Sequence, residues 1–171
     1  MRGTPLHIAR FFVFVLAQGL IFGQLELGWG IHIMIYPLYI LMLPFEIGAI
    51  ALMFIGFLTG LSVDFFMNTF GLHASAGLLV AYMRPQLYRL FSPRDGYDIL
   101  MEPTIASLGF KWFLSVSGIA VLAHHLWFFM LELFRFSDFF YMLQKTIISS
   151  VFTLLIFILI QVFFFKKEKK I

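Results

Sequence analysis

The side chains of this sequence best suited to chemistry are few and set in apolar surroundings. Asp64 is the only formal charge between Glu46 and Arg84, and it closes the run Gly56-Phe-Leu-Thr-Gly60-Leu-Ser-Val-Asp64. Histidines stand at positions 73, 124 and 125, with Glu132 shortly after the pair. Such groups could relay protons or hold a metal. A relay needs a second intramembrane acid to receive the proton, and none is evident. His124 and His125 are neighbours, and adjacent helical residues point about 100° apart, so a regular helix cannot aim both at one ion. His73 could join them across helices, but nothing in the spacing brings it there. The metalloprotease pattern His-Glu-x-x-His and the nucleophile elbow Gly-x-Ser-x-Gly are both absent. The sequence has no cysteine, which removes thiolate catalysis, disulfides and Cys-ligated metals together. The expectation is a protein without catalytic residues, metal or cofactor, whose histidines make polar contacts between or at the ends of helices.

Gly56, Gly60 and Asp64 are four residues apart, which places them on one stripe of a helix. Glycines at this spacing let a second helix approach closely, and an acid on the same stripe should face protein or water rather than acyl chains. Counted from Ile47, Asp64 lies about 26 Å along its helix, near the end of the span. Two readings stay open. Asp64 either terminates the helix and bonds local backbone amides, or fixes this helix against the next one or against a partner. Gly71 and His73 follow closely and belong to the same candidate packing or partner surface.

These residues have to be positioned by membrane helices. Hydrophobic residues make up 61% of the 171 and charged residues 12%, against about 25% charged in soluble domains. Several apolar runs approach the 20 residues that cross a bilayer. Six transmembrane helices are expected, at about 8–27, 30–46, 47–66, 70–91, 107–131 and 143–165, in a single all-α polytopic membrane domain. The second is short and holds Pro37 and Pro44, so it should be kinked or broken. Asn68 or Thr69 could cap the helix that follows the third span. The first span has a basic start and no small-x-small exit, and is read as retained rather than cleaved. With both termini in the cytoplasm, ten of the twelve Lys and Arg residues fall inside and only Arg135 and Lys145 outside. Residues 166–171 form a basic cytoplasmic tail suited to anionic lipid.

The cytoplasmic centre of this arrangement is Arg84-Pro85 and the loop 92–106, with the turn Pro93-Arg94-Asp95-Gly96. Arg84, Arg94 and Asp95 are the candidate docking residues, because loops on a rigid scaffold commonly carry binding function. The plainer reading is an anchor followed by a turn.

Taken in order, Gly56-x-x-x-Gly60-Leu-x-x-Asp64, Asn68-Thr69-x-Gly71-x-His73-Ala74, Tyr82-x-Arg84-Pro85 and Ser92-Pro93-Arg94-Asp95-Gly96-Tyr97 resemble the rod shape-determining protein MreD family. The likeness runs on through Trp112, His124-His125, Phe128 and Glu132 to the lysine-rich end. It implies a non-enzymatic, multi-pass protein of the bacterial inner membrane that works in lateral-wall elongation. The implied partners are the bitopic protein MreC, the actin-like MreB, the glycosyltransferase RodA with its penicillin-binding transpeptidase, and membrane lipid; no nucleic acid is implied. The family is also similar in fold to the substrate-binding components of energy-coupling-factor vitamin transporters. That likeness supplies a rival expectation, a small-molecule-binding component with a polar pocket at the outer helix ends. Gln24, Glu26, Trp29, Asn68, Arg135 and Asp138 would have to build it, which is sparse.

Overall fold

The computed structural model describes residues 4–25, 27–28, 30–98, 101–134 and 138–165. Helix α1 spans Thr4–Leu20 and runs into a 3-10 turn at Phe22–Gln24. A short α2 follows at Tyr36–Leu41, then α3 (Ala49–Met67), α4 (Leu72–Leu90), α5 (Ile105–Leu108), α6 (Phe110–Leu133) and α7 (Phe139–Phe164). The protein is all-helical and membrane-embedded. Among the described residues four stretches are long and apolar enough to cross a bilayer, Pro5–Gln24, Ala49–Met67, Phe110–Leu133 and Phe139–Phe164. Arg135 and the terminal lysines, which weigh in the charge count, lie outside the described residues.

Helix α4 is less apolar than these four because it is the inner element, packed against α2, α3 and α6. Its buried face carries Ala74, Ala76, Gly77 and Ala81, small residues that admit close neighbours on more than one side. Helix α7 lies on α6, and α1 lies on α3. The outer faces present large apolar side chains such as Phe54, Phe65, Val151 and Leu155. In water such a surface would be untenable; in lipid it is the expected one.

The second predicted span, expected to be kinked or broken, is broken. Only Tyr36–Leu41 is helical, with Pro37 in its first turn and Pro44 just beyond its end. Residues 32–35 are non-helical, and 33–43 are buried throughout. Backbone of this kind is tolerated at membrane depth only inside protein, where side chains can satisfy it. They do so here. Gln18 of α1 donates to the Ile33 carbonyl (3.1 Å) and accepts from the Ile35 amide (2.6 Å). Ser149 and Thr153 of α7 accept from the amides of His32 (3.0 Å) and Met34 (3.1 Å). The segment is thus stitched to α1 on one side and α7 on the other.

Ion pairs mark the two ends of the bundle. Arg10 makes a fork-to-fork pair with Glu102 (2.9 and 3.2 Å), joining α1 to the loop before α5, and its guanidinium lies over Phe165 at the end of α7. At the other end Lys145 Nζ donates to Glu132 (2.7 Å) and lies over Phe129.

Candidate functional site

The glycine stripe is spent inside the molecule. A Cβ built on Gly56 would lie 2.7 Å from Ala81 Cβ and 2.8 Å from the Gly77 carbonyl, and one on Gly60 would lie 2.6 Å from Ala74 Cα and overlap the His73 carbonyl. Those contacts are to backbone or to small side chains on α4, so α3 and α4 sit almost backbone to backbone. Asp64 completes the seam. It is only 5% exposed, and its Oδ1 accepts from the Thr69 hydroxyl (2.5 Å), the His73 amide (3.0 Å) and His73 Nδ1 (3.2 Å). Its Oδ2 accepts from the Ala74 amide (2.9 Å). A carboxylate on one helix thereby caps the first turn of the next, where free amides and the helix dipole both favour negative charge. Both readings of Asp64 describe one arrangement, since the amides it bonds are those of the helix it fixes.

Neither Asn68 nor Thr69 is the N-cap of α4. Asn68 ends α3 in the left-handed region (φ 56°), and the cap position belongs to Gly71, whose φ of 92° only glycine adopts without strain. Space around Gly71 is open, so its part in the candidate surface is conformational rather than one of packing.

His73 links this seam to a buried polar chain. The Tyr36 hydroxyl donates to the His73 carbonyl (3.0 Å) and meets His124 Nε2 at 2.5 Å. Since that hydroxyl proton is committed to the carbonyl, Nε2 is the donor and carries the His124 proton. His125 takes the opposite tautomer: Nδ1 donates to the Val121 carbonyl (2.9 Å), and Nε2 accepts from the Thr153 hydroxyl (3.2 Å). The two histidines face different neighbours, as their 100° offset demands. His73 Nε2 and His124 Nδ1 are buried without a partner. Among the described residues no group of three or more His, Cys, Asp or Glu side chains could hold a metal.

Arg84 departs from its expected role. It is 3% exposed, so it cannot be a docking residue on the surface. Its Nε donates to the Leu41 carbonyl (3.3 Å) and its Nη2 to those of Leu43 and Pro44. Carbonyls at the end of a short, proline-bounded helix need donors, and a planar guanidinium can serve several at once. The Tyr88 hydroxyl also donates to Leu41. Arg94 and Asp95, by contrast, are exposed in the turn closed by the Gly96 amide on the Pro93 carbonyl (3.0 Å). No ion pair joins them to each other.

The turn is nonetheless held in place. Tyr97 stacks on Phe45 (4.7 Å), its hydroxyl donates to the Tyr88 carbonyl (2.7 Å), and it accepts from Trp112 Nε1 (2.9 Å). Burial raises the Tyr97 hydroxyl pKa above the ordinary phenol value, with the Trp112 bond opposing it, so this clasp does not titrate near neutral pH. Beside the clasp lies a groove of about 500 Å³ between the start of α3 and the end of α4.

Sequence reasoning missed Gln18, Tyr36, Ser149 and Thr153. Their signal was a polar side chain inside an apolar span, which implies a backbone group in need of a partner nearby. Comparison of the chain with protein-family models, curated proteins and solved structures finds no match.

Proposed function

We propose that this chain is a non-enzymatic membrane scaffold of the MreD type, which binds an MreC-like bitopic protein and other wall-synthesis partners to direct peptidoglycan insertion. In this reading the Arg10 end faces the cytoplasm of a bacterium and the membrane is the inner one. The chain crosses it six times, with the buried segment 31–44 serving as the second crossing. The observation that carries the reading is the destination of the interior polar groups. Asp64 caps α4, Arg84 holds the end of α2, Gln18 and Thr153 hold the segment before it, and Tyr36 bridges His73 and His124. Each is a tie between helices. The sum is a rigid body whose exposed charged turn, Arg94-Asp95, is clasped from behind by aromatic rings.

The transporter-component reading expects a polar pocket at the opposite end. The depression nearer that end, about 360 Å³, is lined among the described residues by Leu27, Gly28, Ile31 and Phe152, none of which has a polar side chain to recognise a water-soluble vitamin; Glu26 and Trp29 lie outside the described residues. Complementation tests the scaffold directly. In a rod-shaped bacterium depleted of its own MreD, this protein should restore rod morphology and lateral-wall labelling. Rounded cells despite normal membrane levels of the protein would count against the assignment.

A further inference from the structure

The groove between the start of α3 and the end of α4 has an unusual electrostatic lining. Among the described residues its charged lining is Arg84 and Arg89, and no carboxylate lines it. Glu46, between two lining residues in sequence, is itself exposed and outside it. Arg84 is buried, donates to neutral carbonyls and lies over the Tyr88 ring (4.6 Å to its centroid), but among the described residues it forms no ion pair. Its Nε and Nη2 are occupied, whereas Nη1 makes none of those bonds. A buried guanidinium without a counter-charge is a standing attraction for an anion.

A second element points the same way. Helix α3 starts at the groove: Ile47, Ala49 and Leu52 line it, the cap is Gly48, and no side chain caps the first turn. Free first-turn amides and the positive end of a 19-residue helix therefore meet the two arginines. The outer surface next to the groove is apolar: Ile50, beside Ala49 in sequence, is 88% exposed and Leu90, beside Arg89, is 71% exposed. On the other side the groove is bounded by Ser92 and the polar turn. An anion with an apolar tail fits these boundaries, its charge among the arginines and its chains running out past Ile50 and Leu90.

We propose that this groove is a binding site for the phosphate-bearing headgroup of an anionic membrane phospholipid. Arg89, the Nη1 edge of Arg84 and the α3 amides hold the phosphate. The inference rests on the helices being membrane-embedded and not on any role in wall synthesis, so it can fail while the scaffold stands. The test uses delipidated full-length protein with dioleoylphosphatidylglycerol or dioleoylphosphatidylcholine, counting retained lipid by native mass spectrometry. Wild type should retain phosphatidylglycerol selectively. Arg89→Gln should cut that retention about tenfold, the worth of a charge-assisted bond, whereas Lys111→Gln, an exposed cation outside the groove, should leave it unchanged. Arg84 variants are avoided because that side chain also holds α2. Ala49→Glu instead puts an acid in the first turn of α3, where it favours the helix yet occupies the anion's place, and it should abolish selectivity while unfolding remains as in wild type. Equal retention of the two lipids, equal effects of the Arg89 and Lys111 changes, or displacement of the lipid by millimolar inorganic phosphate would each overturn the assignment.

Discussion

Gly60→Ala is the sharpest perturbation of the α3–α4 seam. The added carbon would sit 2.6 Å from Ala74 Cα, about 0.8 Å inside the 3.4 Å at which ordinary contact begins, and would overlap the His73 carbonyl as well. Both atoms are backbone, so no rotamer change relieves the clash and the helices must part. Overpacking of this kind costs about 1–3 kcal/mol. Replacing a helical glycine by alanine returns about 1 kcal/mol of propensity, leaving a net loss of up to about 2 kcal/mol. Gly118 is the control, in the middle of α6 with nothing within 4 Å of its built Cβ. There only the propensity gain applies, so Gly118→Ala should be neutral or slightly stabilising. The assay is equilibrium unfolding in mixed micelles, read by tryptophan fluorescence and helicity. Gly60→Ala should unfold at a lower denaturant fraction than wild type, and Gly118→Ala at an equal or higher one. Equal stability of the two variants would refute the claim that glycine at position 60 is there for close approach.

The same seam predicts that Asp64→Ala, which strands the Thr69 hydroxyl and the His73 and Ala74 amides, loses about 3 kcal/mol, while Asp64→Asn, with one acceptor oxygen left, loses less; the unfolding assay that ranks the glycine variants ranks these. Arg84→Lys should cost about 1.5–3 kcal/mol, because an ammonium cannot reproduce the fork that serves Leu41, Leu43 and Pro44 together; a fully stable variant would mean the carbonyls find other donors. For topology, reporter fusions after Phe91 and after Ile171 should both read cytoplasmic and a fusion near Ser137 external, whereas an external tail would break the six-crossing arrangement.

The glycine–aspartate stripe could be read from the sequence because it depends only on helical periodicity and on the cost of an acid in lipid. That Asp64 caps α4 could not, since the amides it reaches belong to another helix and become its neighbours only when the two lie side by side. Arg84 misleads for a related reason. A basic residue near the end of an apolar span reads as an interfacial anchor, and only the folded segment before α3 reveals three carbonyls in need of a donor. Pro37 and Pro44 carry that information indirectly: a segment that two prolines prevent from closing its own ladder must borrow donors and acceptors from its surroundings. Gln18, Ser149, Thr153 and Arg84 are the lenders. The exposure of Arg94 and Asp95 was easier, because a Pro-x-x-Gly turn between helices has nowhere to be buried.

The central claim is that the folded body recognises a partner, and co-purification tests it most directly. The full chain should be produced together with an MreC-type single-span protein, extracted into native-lipid nanodiscs, and analysed for associated proteins and small molecules. The expected result is a complex that survives size exclusion, with Arg94→Glu reducing recovery of a cytoplasmic or juxtamembrane partner while protein level and insertion stay unchanged. A chain that emerges with no wall-synthesis partner but with a stoichiometric water-soluble vitamin would contradict it.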